Sequence, residues 1–180
     1  MKTQFLITTI SLFFAASIAN AQIKAGDYIY GVFDSPLTTT KNYNGATYVA
    51  EVTAVNGSEF TCRFVHSGSV YQFKNFNGQI DNSTAEVRST EKGIFKKEGT
   101  KFYFSIYTPT NESCNYFKVK FADGKSYFAQ ATSVGNNYQL LFFHSGSKYL
   151  ITPEGIIIQS GGSYRKGQKV TWDCYKPANE

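Results

Sequence analysis

A chain that repeats itself must fold each copy alike, and two stretches of this one read as copies. Tyr48-Val-Ala-Glu-Val-Thr-Ala-Val55 matches Tyr127-Phe-Ala-Gln-Ala-Thr-Ser-Val134, and Phe64-Val-His-Ser-Gly-Ser-Val-Tyr71 matches Phe142-Phe-His-Ser-Gly-Ser-Lys-Tyr149. The turns agree as well: Asn44-Gly45 faces Asp123-Gly124, and Gly78-Gln79-Ile80 faces Gly155-Ile156-Ile157. A residue is lost between the two matched segments, where Asn56-Gly57-Ser58 faces Gly135-Asn136-Asn137. A second element occurs three times, over Lys24 to Pro36, Lys97 to Pro109 and Arg165 to Pro177, with the same spacing from glycine to proline. Sustained self-similarity of this kind sets the architecture before any local reading does.

Within each copy the pattern is that of strands. Tyr48, Ala50, Val52 and Ala54 alternate with Val49, Glu51, Thr53 and Val55, and Phe60, Cys62 and Phe64 alternate with Thr61, Arg63 and Val65. A two-residue period over short runs marks half-buried strands. Asn-Gly and Asp-Gly before Tyr48 and Tyr127 are strong hairpin signals, because both turn residues take positive φ. The proline that ends each copy of the threefold element stops ladder pairing. No segment carries a helical period. The expectation is an all-β chain of two tandem small barrels with an extra C-terminal closing strand. The boundaries are a first repeat over 22–95, and a second repeat plus closing strand over 96–180. The third copy, Gly167 to Pro177, is expected to complete the second barrel. The 97–109 copy completes the first or bridges both, which leaves residues 24–36 as an extra element. Domains this small bury too little surface to be robust alone, so the two barrels are expected to pack together.

The repeated body resembles the SH3-like barrels of the Tudor and Agenet type. The resemblance rests on the early Gly26 and Gly99, on Asn-Gly-Ala-Thr-Tyr-Val-Ala-Glu-Val (44–52) with Asp-Gly-Lys-Ser-Tyr-Phe-Ala-Gln-Ala (123–131), and on strand ends at Phe64 to Gly68 and Phe142 to Gly146. It implies the barrel fold, twice. The aromatic cage by which that family reads methylated side chains works by cation–π attraction. The corresponding positions here are Thr47, Ser67, Ser126 and Ser145, and the family's aspartate is replaced by His66 and His144. The resemblance therefore implies the fold without the methyl-reading chemistry.

Residues 1–21 read as a secretory signal peptide. Lys2 precedes an uncharged, mostly apolar run from Phe5 to Ile18, and Ala19-Asn20-Ala21 forms a small-residue cleavage site. No later stretch is long and apolar enough for a membrane span, so the chain is expected to be exported, periplasmic or secreted, and not membrane-embedded. Aromatic residues are as frequent as charged ones, at 17% each, which excludes a disordered chain. The net charge of +5 is spread along the chain rather than gathered into a basic stripe, which excludes nucleic acid as a partner. Cys62, Cys114 and Cys174 allow one disulfide in three ways. No C-x-x-C is present, so neither a zinc knuckle nor a dithiol redox site is indicated.

The candidate binding residues are the chain's two histidines and its strand-opening aromatics. His66 and His144 share the Phe-x-His-Ser-Gly-Ser-x-Tyr segment with Tyr71 and Tyr149. Tyr28, Tyr30, Phe33, Tyr43, Tyr103 and Tyr107 lie in or beside the opening strands and the loops after them. Tyrosine combines an apolar ring with a polar tip and suits stacking on a sugar or holding a peptide. No nucleophile elbow, phosphate loop or metalloprotease motif occurs, and two histidines in separate modules make a poor metal site. The reading is an exported non-catalytic module that recognises a protein, peptide or glycan and needs no cofactor or metal. The alternatives are a structural or inhibitory envelope protein acting through an interface, and a small hydrolase using one histidine.

Overall fold

The computed structural model of the chain describes residues 22–34, 47–78, 83–93 and 98–178. Residues 1–21, read above as a signal peptide, and Tyr43 lie outside the described residues. Twelve strands follow in chain order, and no helix occurs among the described residues. They are β1 (Tyr28–Asp34), β2 (Tyr48–Asn56), β3 (Glu59–Phe64), β4 (Val70–Asn77), β5 (Ser83–Glu91) and β6 (Lys101–Pro109). The second half holds β7 (Tyr116–Phe121), β8 (Ser126–Val134), β9 (Asn137–Phe142), β10 (Lys148–Ile151), β11 (Ile157–Ser160) and β12 (Val170–Pro177).

The first six strands form an antiparallel meander that closes when β6 pairs with β1 along its whole length, from Tyr28↔Tyr107 to Asp34↔Lys101. Closure removes the exposed edges that make open sheets prone to association. The second six repeat the order, with β12 laid against β7 from Val170↔Phe121 to Tyr175↔Tyr116. They curl back on themselves through the Ile156↔Lys169 bridge. Inward alternation fills both interiors. Phe60, Phe73 and Phe102 lead the first core, and Phe117, Phe142 and Ile151 lead the second.

Strand registers define which residues correspond. Tyr28 pairs with Glu51 as Tyr116 pairs with Gln130, so β7 is the counterpart of β1. Residues 24–36 are therefore not an extra element, as the triplication suggested: β1 pairs with both β2 and β6 and is the first stave of the first barrel. The second barrel has its own first stave in Tyr116–Phe121, which lacks the Lys-x-Gly frame and so does not read as a copy. The third copy does close the second barrel, and the 97–109 copy both closes the first and meets β12 at Tyr175↔Pro109. The first barrel's ladder thus runs through β6, past residue 95.

The threefold element encodes one turn. In each copy the glycine takes a positive φ of 83–93° (Gly26, Gly99, Gly167), which costs a residue without Cβ little. Its N–H then donates to a strand carbonyl: Gly26 to Val52, Gly99 to Val87, Gly167 to Ile157. The following residue closes the turn. Asp27 Oδ2 accepts the Lys24 N–H at 2.7 Å, and Gln168 Oε1 accepts the Arg165 N–H at 2.6 Å.

Cys114 and Cys174 form a disulfide between the segment before β7 and β12, while Cys62 is a buried free thiol in the first core. The two barrels are joined by a third apolar cluster, in which Tyr28, Val49, Tyr107, Phe128 and Tyr175 are buried. Its members are counterparts: Tyr28 with Tyr116, Val49 with Phe128, Tyr107 with Tyr175, Val65 with Phe143. Tyr28 contacts Tyr175 at 5.3 Å between ring centroids, and Tyr116 contacts Tyr107 at 4.6 Å. The same patch on each half meets itself, as in a two-fold dimer.

Candidate functional site

The two histidines lie at this joint. Each ends the third strand of its barrel, in the turn that Gly68 or Gly146 closes by donating to Phe64 or Phe142. The pseudo-two-fold brings their rings face to face, with centroids 6.2 Å apart and planes 27° apart. His66 is exposed, whereas His144 is half-buried and stacks on Tyr127 at 4.4 Å. Burial, reinforced by the nearby His66, lowers the His144 pKa below the ordinary imidazole value. Its Nδ1 is buried and has no hydrogen-bond partner. Among the described residues, no group of three or more His, Cys, Asp or Glu is placed to hold a metal ion.

His144 also walls a pocket of about 180 Å³ at one end of the second barrel. Phe121, at the end of β7, and Phe142, at the end of β9, form its floor. Tyr127 opens β8 and Tyr149 lies on β10. The β9–β10 turn adds Ser145 and Ser147, the β7–β8 turn adds Lys125, and the loop after β11 adds Gly162, Ser163 and Tyr164. Phe121, Phe142 and Tyr149 are buried, so the partly exposed rings of the lining are Tyr127 and His144, stacked on each other, and Tyr164, stacked on Phe121.

Tyr164 is fixed at several points. Its ring stacks on Phe121 with centroids 3.6 Å apart. Its N–H donates to Tyr149 Oη at 3.3 Å, and its hydroxyl donates to Asp123 Oδ2 at 3.0 Å. Ser160 Oγ donates to its carbonyl. Burial and hydrogen bonds to Tyr127 and Asp123 raise its phenol pKa, so it is an un-ionised donor at neutral pH. Gly162 lets the loop pass: a Cβ there would lie 2.2 Å from Tyr149 Oη. The wall is therefore preorganised, which limits the ordering entropy that binding must overcome.

The other sequence-derived candidates scatter. Tyr28 and Tyr107 are buried in the joint, and Tyr30 stacks on Phe143 beside them at 4.5 Å. Phe33 and Tyr71 pack in the first barrel, with ring centroids 5.4 Å apart. Tyr103 is half-buried on β6, opposite Val32 of β1 and Thr84 of β5. Of the sequence-derived candidates among the described residues, the structure gathers only His144 and Tyr149 at the pocket. Phe121, Lys125 and Tyr164 were missed. Phe121 sits on the unrecognised strand β7, and Tyr164 precedes the third Lys/Arg-x-Gly turn without any motif of its own. No protein-family model, curated protein or solved structure matches the chain.

Proposed function

We propose that the chain is an exported, non-catalytic binding module built of two SH3-like barrels of the Tudor/Agenet type, and that it recognises a glycan by seating one sugar ring in the second barrel's pocket. The observation that carries this reading is the pocket's size and lining. At about 180 Å³ it is smaller than the roughly 300–1,000 Å³ of drug-sized ligand sites, so it takes a single small unit. The partly exposed rings of Tyr127, His144 and Tyr164 stand beside the hydroxyls of Ser145, Ser147 and Ser163. A pyranose presents the matching surface, an apolar C–H face and a polar hydroxyl edge.

The neighbouring serines support binding over hydrolysis. Ser145 Oγ accepts the Ser147 N–H at 3.3 Å, and Ser67 Oγ accepts the Ser69 N–H at 3.2 Å while donating to Ser69 Oγ. Both hydroxyls serve their own turns, as serines there commonly do, and no described hydrogen bond joins either to a histidine. Export is supported by the leader pattern of residues 1–21 and by the disulfide, a bond that persists in oxidising compartments.

The test is a printed array of glycans and peptides probed with the purified exported protein and with Tyr164→Ala. The expected result is retention on glycans, lost in the variant. Retention on peptides alone, or binding unaffected by Tyr164→Ala, overturns the reading.

A further inference from the structure

We infer that the ring this pocket selects carries a negative charge: the ligand class is an acidic sugar, a pyranose bearing a carboxylate. The inference rests on the glycan reading and adds the charge.

Among the described residues, Lys125 is the one formally charged side chain that lines the pocket, and no aspartate or glutamate does. The nearest carboxylate, Asp123, is already engaged. It accepts the Tyr164 hydroxyl at 3.0 Å and the Lys125 N–H at 3.1 Å, and lies 3.7 Å from Lys125 Nζ. A pair this long and exposed is loose, and Lys125 retains two further ammonium protons for a ligand. The serine hydroxyls can turn to donate, which suits an acceptor-rich guest.

His144 points the same way. The residue lines the pocket, and its Nδ1 is buried without a partner, an arrangement that costs free energy. A carboxylate seated beside the ring favours its protonated form by charge. A cationic ring would meet the Lys125 ammonium and the imidazole with no free carboxylate to balance it. This also explains why ring faces are present without a site for methylated ammonium, which requires aromatic faces undisturbed by a competing cation.

The test compares three rings of one size and different charge, methyl glucuronide, methyl glucoside and methyl glucosaminide, by saturation-transfer NMR with competition titrations at low salt. The glucuronide is expected to bind about fivefold tighter than the glucoside, the size of one partly exposed charge pair, and the aminosugar weakest. Lys125→Gln, an exposed turn substitution that leaves the Asp123 backbone bond intact, is expected to erase the preference for glucuronide over glucoside. Lys125→Arg is expected to keep the preference. Raising the salt to about 0.5 M is expected to shrink it, and the glucuronide alone should move the His144 titration to higher pH. Equal affinity for glucuronide and glucoside, tighter binding of the aminosugar, or a preference that survives Lys125→Gln overturns the charge inference and leaves the glycan reading standing. No saturation transfer to any of the three overturns the glycan reading itself.

Discussion

Breaking the Cys114–Cys174 disulfide tests how the second barrel is held shut. The bond spans a sequence separation of 60, with Cα atoms 5.6 Å apart. Constraint of a loop this long lowers the entropy of the unfolded chain by the equivalent of about 4 kcal/mol. It acts on the strand that matters most, because β12 closes the barrel against β7 and also meets β6. Substituting both cysteines, Cys114→Ala with Cys174→Ala, leaves β12 held by its ladder alone. Allowing for partial structure in the unfolded chain, the expected loss is about 2–4 kcal/mol. With a urea slope of about 2 kcal/mol/M, the midpoint falls by about 1–2 M. Urea titration followed by far-ultraviolet circular dichroism, on the oxidised protein, the reduced protein and the double variant, reads this directly. In the folded protein burial pushes the Cys62 thiol pKa up, and a mildly acidic buffer keeps the thiol from exchanging once urea exposes it, because the thiolate is the exchanging species. Midpoints that agree within about 0.3 M, well inside the expected shift, would refute the account of β12 as a covalently fastened closing strand.

Asp27 is 1% exposed, and burial, partly offset by the Lys24 N–H and charge, raises its carboxyl from 3.8 to about 6. Between about pH 4 and 6 the native state holds a proton that the unfolded chain releases, so stability falls as pH rises through that window. Asp27→Asn keeps an acceptor for Lys24 without the buried charge. It should flatten the decline and be about 1–2 kcal/mol more stable at pH 7, less than the roughly 1.4 kcal/mol per pKa unit of the full shift because the site relaxes. A variant less stable than the parent at pH 7 in thermal melts would contradict this. Phe128 is 1% exposed and stacks on Tyr28 at 4.9 Å, so Phe128→Ala should cost about 3–5 kcal/mol. The shared joint should keep calorimetric unfolding a single transition in the parent protein, and two separated parent transitions would refute that coupling.

Much of the frame was legible in residues. Turn glycines and period-2 alternation located the copies, and the spacing from glycine to proline marked Gly167 to Pro177 as a closing strand. Strand β7 was not legible, because Tyr116 to Phe121 alternates like any strand but lacks the frame that made its counterpart conspicuous. That the barrels pack together was expected, but which residues form the joint was hidden for a different reason. Alternation separates the two faces of a strand, yet it does not say whether the outward face meets water or another barrel. Tyr28 and Tyr107 therefore read as groove tyrosines and proved to be buried between the halves. The pocket depends on Tyr164, which is brought to Phe121 by a loop with no periodic signal. The histidine pair was invisible because its closeness is a property of the pseudo-symmetry, which no linear pattern encodes.

Covalent linkage changes what a self-facing patch is free to become. Between two identical chains every substitution at such a patch arrives twice, so a side chain can grow only if its own copy across the axis has room. Within one chain the copies mutate singly, and the joint bears the marks. Phe128 faces a region whose counterpart residue is the smaller Val49, and Lys118 stands where the other half has Tyr30. Lys118 reaches Glu51 at 3.3 Å and lies 5.4 Å over the Tyr28 ring, whereas the mirrored positions hold Tyr30 and the uncharged Gln130. Complementarity of this lopsided kind fits each half to the other and not to its own like, while the tether, by raising the effective concentration of the matching half, favours the partner within the same chain.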